Sequence, residues 1–314
     1  MKRLLIAAAA ACAAFAAHAQ TSIQLGNYTV TGNYAIDPLG GKGLEASAVT
    51  YARDRGTLFF VGDEGTSVIE ISLTGTTLGL MDFDWTGTGS TNNDAEGLTY
   101  LGNGTLVVVD ERPQIAYRFG FAAGGTTVLN DQAKVAITGS SVNVGNVGTE
   151  GISYDARDGS FFSVKQDNPA ELRGGMLTFA VGGGTTGMTT LFSGASSLFG
   201  LNNLSDIQTL APVDALAGTA AADNLLVLSL DSRRLIEIDR SGVVQSFVDL
   251  TGITTQAIEG VTIDENGVLY LVAEDSGSGN SRLFVLTSAV PEPSSYALML
   301  GGLALVGWRA RRRS

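Results

Sequence analysis

A short pattern, an acidic residue leading a run of strand-forming residues, recurs about every fifty positions along this 314-residue chain. It begins at Glu45, Glu96, Glu150, Asp206 and Glu259, with spacings of 51, 54, 56 and 53 residues. The fullest copies read Glu96-Gly97-Leu98-Thr99-Tyr100, Glu150-Gly151-Ile152-Ser153-Tyr154-Asp155 and Glu259-Gly260-Val261-Thr262-Ile263-Asp264. Such a period, in a chain without long amphipathic helical patterns, predicts an all-β propeller or a related array. A propeller gathers equivalent positions of every blade around one central channel. The expectation is that five acids face one another there.

Each repeat reads as four short strands. In the first they are 46–51, 57–61, 67–73 and 77–83, with Asp54-Arg55-Gly56 and Thr74-Gly75 as turns. Asn103-Gly104, Asp158-Gly159 and Asn266-Gly267 mark the first hairpins of later repeats. The fifth repeat stops after a third strand at 281–287, while 22–36 alternates like a strand and has no repeat of its own. The N-terminal segment is therefore expected to supply the missing fourth strand. The fold class is a five-bladed β-propeller over residues 20–288, closed by that strand. A six-bladed ring would need another repeat hidden in 174–201.

Both ends carry processing signals. Lys2 and Arg3, the apolar run 4–17 and Ala17-His18-Ala19 read as a signal peptide covering 1–19. Cys12 lies in that run, but Ala9 stands where a lipobox takes a large aliphatic residue. At the other end Pro291-Glu292-Pro293, the apolar stretch 296–308 and Arg309, Arg311, Arg312 and Arg313 follow in order. Residues 290–314 thus resemble the PEP-CTERM sorting tail. An ordinary C-terminal anchor is the alternative, although thirteen apolar residues are short of the ~20 that a spanning helix needs. The resemblance implies transient membrane association and cleavage near Pro291 by an exosortase. It also implies delivery to the outer membrane, cell surface or extracellular matrix of a Gram-negative bacterium.

Removing both ends removes the only Cys and the only His. Disulfides, Ser-His-Asp or Cys-His catalysis and a His or Cys zinc site are then excluded. Without Lys2, Arg3, the four terminal arginines and Glu292, the 19 basic and 31 acidic residues become 13 and 30, a net charge near −17. Such a surface repels nucleic acid and anionic lipid and attracts divalent cations. The chain is read as a monomer.

Counting five residues beyond Leu58, Leu106, Phe161, Leu226 and Leu269 gives a second set, Asp63, Glu111, Gln166, Asp231 and Glu274. In a propeller the first strand is innermost. Its start and the end of the antiparallel second strand share one mouth of the channel, so both sets converge there. Crowded carboxylates repel. Ca²⁺, which takes six to eight oxygens at ~2.3–2.6 Å, would relieve that repulsion. Two other roles stand beside it: acids that clip neighbouring blades through backbone N–H groups, with the following glycine serving the entry turn, and catalytic carboxylates. Arg112 and Lys165, with Arg173, lie near the mouth and either bind an anionic ligand or neutralise the acids. Trp85 either packs or stacks a sugar. Ser196 and Ser197 have no base to activate them.

The segments Val61-Gly62-Asp63-Glu64-Gly65, Asp94-Ala95-Glu96-Gly97-Leu98, Val109-Asp110-Glu111-Arg112, Glu150-Gly151-Ile152, Leu228-Ser229-Leu230-Asp231 and Ile258-Glu259-Gly260-Val261 together resemble the SdiA-regulated propeller family. The resemblance implies a periplasmic or surface-exposed propeller with acidic mouth residues suited to Ca²⁺. Gln166 in place of an acid, and Ala46 rather than Gly after Glu45, depart from a complete ring. A wider kinship is with calcium-dependent propeller hydrolases of the phytase, lactonase and esterase kinds. Here a carboxylate such as Glu96 or Glu259 would have to replace a histidine base. The leading expectation is a surface-displayed, Ca²⁺-binding module that engages a matrix polysaccharide or surface protein, and the rival is such a hydrolase. Truncation after Val290 is expected to yield a soluble secreted protein. Retention of the truncated chain in the membrane fraction would show that the tail is not the anchor.

Overall fold

The structure, a computed structural model, describes residues 20–194, 199–275, 280–289 and 301–303. The signal segment, Ser196, Ser197 and Pro291-Glu292-Pro293 lie outside the described residues. Among the described residues no helix is long and apolar enough to cross a membrane.

Five sheets form five blades, each built on four antiparallel strands, and the first also takes Thr126–Val128 in parallel at its outer edge. The first three blades have the strand sets Ala46–Ala52, Thr57–Gly62, Ser67–Ile71 and Thr77–Asp84; Ala95–Gly102, Thr105–Asp110, Ile115–Gly120 and Ala133–Ala136; and Thr149–Asp155, Ser160–Lys165, Glu171–Gly175 and Thr189–Ser193. The fourth has Asp206–Thr209, Leu225–Ser229, Arg234–Ile238 and Val244–Asp249. The fifth has Ile258–Ile263, Leu269–Ala273 and Arg282–Ser288, completed by the N-terminal strand Tyr28–Ala35. The segment 174–201 holds no sixth blade among its described residues. It completes the third blade, adds the small hairpin Leu177–Thr178 with Thr185–Thr186, and lends Ala180–Val181 to the outer edge of the second blade.

The second strand of each blade is buried on both faces, and its side chains alternate between two cores. Phe59 and Val61 enter the core between blades one and two, while Leu58 and Phe60 enter the core between blades five and one. Leu106 and Val108, against Val107 and Val109, do the same one blade on. One hydrophobic cluster fills each of the five blade interfaces. This explains why these strands read as unbroken apolar runs rather than alternating ones.

The first strands lie side by side around the channel. Each pairs with its second strand on one edge only, so the other edge presents unpaired backbone N–H groups that need partners. A belt of hydroxyls supplies them. Tyr51 N–H donates to Thr262 Oγ1 at 3.1 Å, Tyr100 N–H to Thr50 Oγ1 at 3.1 Å, Tyr154 N–H to Thr99 Oγ1 at 3.1 Å, and Thr209 N–H to Ser153 Oγ at 3.0 Å. Between blades five and four, Thr262 Oγ1 donates to Gln208 Oε1 at 3.1 Å. The belt runs once around the ring.

The N-terminal segment fastens two blades. Its strand pairs with Arg282–Ser288. Just upstream, the buried Glu237 carboxylate of blade four accepts from Ser22 Oγ (2.5 Å), Ile23 N–H (3.1 Å), Asn224 Nδ2 (2.7 Å) and Ser246 Oγ (2.7 Å). Deleting residues 20–36 removes a strand and two of those donors, and leaves a buried carboxylate underpaired, which is strongly destabilising. We expect aggregation or loss of the cooperative thermal transition. A deletion variant that melts like the parent would overturn this account of closure.

Candidate functional site

Four of the five inner strands carry a one-residue bulge at the same end. Pairing skips from Ala46 to Ala48, Ala95 to Gly97, Thr149 to Gly151 and Ile258 to Gly260. The skipped residues are Ser47, Glu96, Glu150 and Glu259, and a bulge re-aims such a side chain out of the ladder. The glycine that follows is set by packing rather than by an entry turn. A Cβ would stand 3.0 Å from Glu150 O at Gly97, 2.5 Å from Asp206 Oδ1 at Gly151, and 2.9 Å from Ser47 O at Gly260. The neighbouring inner strand passes too close for a side chain there.

This register corrects three expected equivalences. The belt residues Thr50, Thr99, Ser153, Gln208 and Thr262 align the blades, and they put Ser47 and Ser205, not Glu45 and Asp206, level with Glu96. Asp206 sits one residue late and faces the next blade. Its oxygens accept N–H from Ile207 at 2.8 Å and from Val261 at 2.7 Å, so it is a clip between blades four and five. Burial raises its carboxyl well above the usual range, and the two N–H bonds oppose that rise. Asp231 is also one residue late, because Leu225, not Leu226, pairs with Thr209 as Leu106 pairs with Tyr100. It is exposed, and its own N–H donates to Asn203 Oδ1 at 3.0 Å.

Glu45 sits two residues early, at φ 49°. Its carbonyl accepts Asp63 N–H at 3.1 Å, just as the Asp94 carbonyl accepts Glu111 N–H at 3.0 Å. Gly62 makes the crossing feasible, since a Cβ there would lie 1.9 Å from Leu44 O and 2.6 Å from Glu45 O. The result places carboxylate oxygens of Glu45, Asp63 and Glu64 all within 4.8 Å of one another. Two ligands of one Ca²⁺ can be no more than about 5 Å apart, twice the bond length, so these three fit one coordination sphere.

Seven of the nine acids expected at this mouth act on one another electrostatically: Glu45, Asp63, Glu96, Glu111, Glu150, Glu259 and Glu274. Burial is the largest cause of each upward pKa shift, and neighbouring carboxylates add to it. Glu259 is pushed up to about 8 by burial, then by Glu274, Asp63 and Glu45. Glu45 is pushed up to about 7 by burial, then by Glu64 and Asp63. Glu96, half-buried, and Glu150, buried, face the lumen and are raised well above the usual range. Asp63 neighbours Glu96, and Glu111 neighbours Glu150, each close enough to shift the other's titration.

Sequence reasoning missed Glu64, Asp94 and Asp275, which belong to the same group. Aligning the repeats on the belt hydroxyls instead of on the acids would have brought Asp94 level with Glu45. Arg112 donates to Asp94 and, at 2.8 Å, to Asn146 Oδ1, so it neutralises the cluster's edge. Lys165 turns back to the carbonyl oxygens of Asp167 and Pro169 in its own loop. Arg173 pairs with Glu171 at 2.7 Å. Trp85 packs edge-on against Phe83 at 5.8 Å and Tyr117 at 6.2 Å.

The family model described as SdiA-regulated matches residues 20–276. A PEP-CTERM protein-sorting motif matches residues 289–313 and indicates export and processing by an exosortase. Among solved structures, the Myxococcus xanthus glutaminyl cyclase is similar, with a TM-score of 0.51 and 12% identity over 83% of this chain and 95% of that one. A β-propeller domain from Myceliophteria thermophila gives a TM-score of 0.37 and 12% identity over 79% of this chain and 66% of that one.

The raised carboxyls fix a pH dependence. Acids whose folded pKa lies above the unfolded value hold extra protons in the folded state, so their destabilising effect grows as pH rises from the ordinary glutamate value near 4.5 through about 8. In EDTA the melting temperature is expected to be higher at pH 5.5 than at pH 8. A melting temperature that rises over that interval would contradict the placement of these acids.

Proposed function

The chain belongs to the SdiA-regulated family, and on that premise we propose that it is an exported interaction module of the cell surface or extracellular matrix. It holds Ca²⁺ at the acidic mouth and engages a matrix polysaccharide or a surface protein. The observation that carries the reading is the close set of Glu45, Asp63 and Glu64 oxygens, backed by Glu259 and Glu274. An all-oxygen donor set of flexible carboxylates suits Ca²⁺ over transition metals. Among the described residues the one ion pair to an acid of the cluster, Arg112 with Asp94, leaves a large surplus of negative charge for a cation to neutralise.

A second reading, a calcium-dependent hydrolase of esters, lactones or phosphoesters, is favoured by one feature. The pairs Asp63 with Glu96 and Glu111 with Glu150 are carboxyls with raised pKa inside the channel. A general acid or base working near neutral pH requires that property. Glu96 or Glu259 would then act as the base.

Melting curves test the cation. A ligand that binds only the folded state adds about 2.7 kcal/mol at a hundred times its Kd, and each kcal/mol moves the midpoint by roughly 2–4 °C in a domain of this size. With a Kd of ~10 μM, 1 mM Ca²⁺ raises the midpoint by several degrees and Mg²⁺ by less. Glu45→Gln combined with Asp63→Asn removes the shift and leaves a folded protein. If neither Ca²⁺ nor EDTA moves the midpoint, the calcium reading fails. Turnover of generic ester or phosphomonoester substrates, abolished by Glu96→Gln in a folded variant, would favour the hydrolase instead.

A further inference from the structure

The channel has a second, chemically different mouth. In the first three blades four residues at ~3.3 Å each, about 13 Å, separate the bulge at the acidic end from a tyrosine, and the first hairpin lies just beyond it. Tyr51, Tyr100 and Tyr154 occupy the same belt position in three consecutive blades. With the hairpin residues Arg53, Asp54 and Asn103 they line a cavity of about 430 Å³, within the ~300–1,000 Å³ range of small-molecule sites.

The tyrosines are half-buried, and each is backed by another ring. Tyr51 stacks on Tyr270 at 6.5 Å and 7°, Tyr100 on Phe59 at 5.8 Å and 15°, and Tyr154 leans on Phe161 at 5.0 Å. The Tyr100 hydroxyl is pinned by Gly104 N–H at 2.7 Å. These rings are held in place before any ligand arrives, which lowers the cost of binding. The polar rim is also fixed. Arg53 donates to Pro212 O at 3.3 Å and to Asp214 at 2.8 Å, and Asp54 accepts Asn103 N–H at 2.9 Å.

We propose that this tyrosine-lined mouth binds a neutral saccharide. The apolar C–H face of a sugar ring matches an aromatic plate, and tyrosine combines an apolar body with a polar edge. Planar guanidinium, carboxylate and amide groups at the rim suit vicinal hydroxyls. An anionic ligand is disfavoured, because Arg53 is already paired with Asp214 and Asp54 adds negative charge. Both chain ends also leave on this face. Tyr28 pairs with Ser288, and the Tyr28 hydroxyl donates to Gly267 O, in the corresponding hairpin of blade five, at 2.9 Å. The assignment rests on the reading of the protein as a surface interaction module, but not on calcium.

The test is calorimetric titration of the exported protein with neutral oligosaccharides: maltohexaose, cellohexaose, laminarihexaose and chitohexaose, with polygalacturonate as an acidic control. At least one neutral glycan is expected to bind, equally well in Ca²⁺ and in EDTA. Tyr100→Ala or Tyr154→Ala should weaken binding about tenfold by removing one stacking plate, while Tyr100→Phe, which keeps the ring, should bind like the parent. Melting curves confirm that each variant is folded. No binding of any neutral glycan at millimolar concentration, binding of polygalacturonate alone, or binding that survives both alanine substitutions overturns the assignment. Binding lost in EDTA or in the Glu45→Gln, Asp63→Asn variant places the glycan at the acidic mouth and also overturns it. A Ca²⁺-induced melting shift without glycan binding sinks this inference and leaves the calcium reading standing.

Discussion

Everything at the two mouths depends on how the inner strands satisfy the backbone edge that faces away from their own sheet. An open strand edge inside a crowded ring would carry unpaired N–H groups, each costing about as much as a lost hydrogen bond. Thr50, Thr99, Ser153 and Thr262 meet that demand by accepting from the next blade at 3.0–3.1 Å. Asp206 does the same work for Val261 N–H at the interface with blade five, where Gln208 accepts from the Thr262 hydroxyl. The belt fixes blade spacing, and blade spacing forces Gly97, Gly151 and Gly260. The bulges then turn Glu96, Glu150 and Glu259 away from the ladder.

Acids at the ring thus have two fates, decided by a shift of one residue. Asp206 faces a neighbouring strand and is consumed by two N–H bonds. Glu96, Glu150 and Glu259, one position earlier in the register, face other carboxylates and gain no such partners in the ladder. Side chains alternate faces along a strand, so a one-residue slip exchanges a structural clip for a lumen group. The lumen acids oppose folding through burial and repulsion. Sites where a fold tolerates such a conflict are where function is concentrated.

Much of the fold was legible because it is written in periodicity. The five repeats, the doubly buried second strands and the borrowed N-terminal strand follow from alternation and turn residues. The site was legible only in part. Acid identity served as the alignment mark, and acids are not what the blades share: Glu45 lies two residues early, and Asp206 and Asp231 one residue late. The shared mark is the small hydroxyl three residues past the bulge, visible as Thr50, Thr99, Ser153 and Thr262. The closeness of Glu64 to Glu45 was out of reach, because it depends on the backbone of Leu44 and Glu45 crossing Gly62.

The direction of the chain gives the ring two unlike ends. Inner strands start at the acidic end, three of the five finish at tyrosines, and every second strand returns to the acidic side. The third strand of blade five ends on the tyrosine side, and the N-terminal strand starts there. Closure by the N-terminal segment therefore does more than seal a sheet. It puts both points of chain exit on one face and leaves the acidic mouth free on the other. A propeller closed by a C-terminal strand of its own would have ended on the acidic side, with its exit beside the carboxylates. The borrowed strand thus separates the end that carries the sorting tail from the end that concentrates charge.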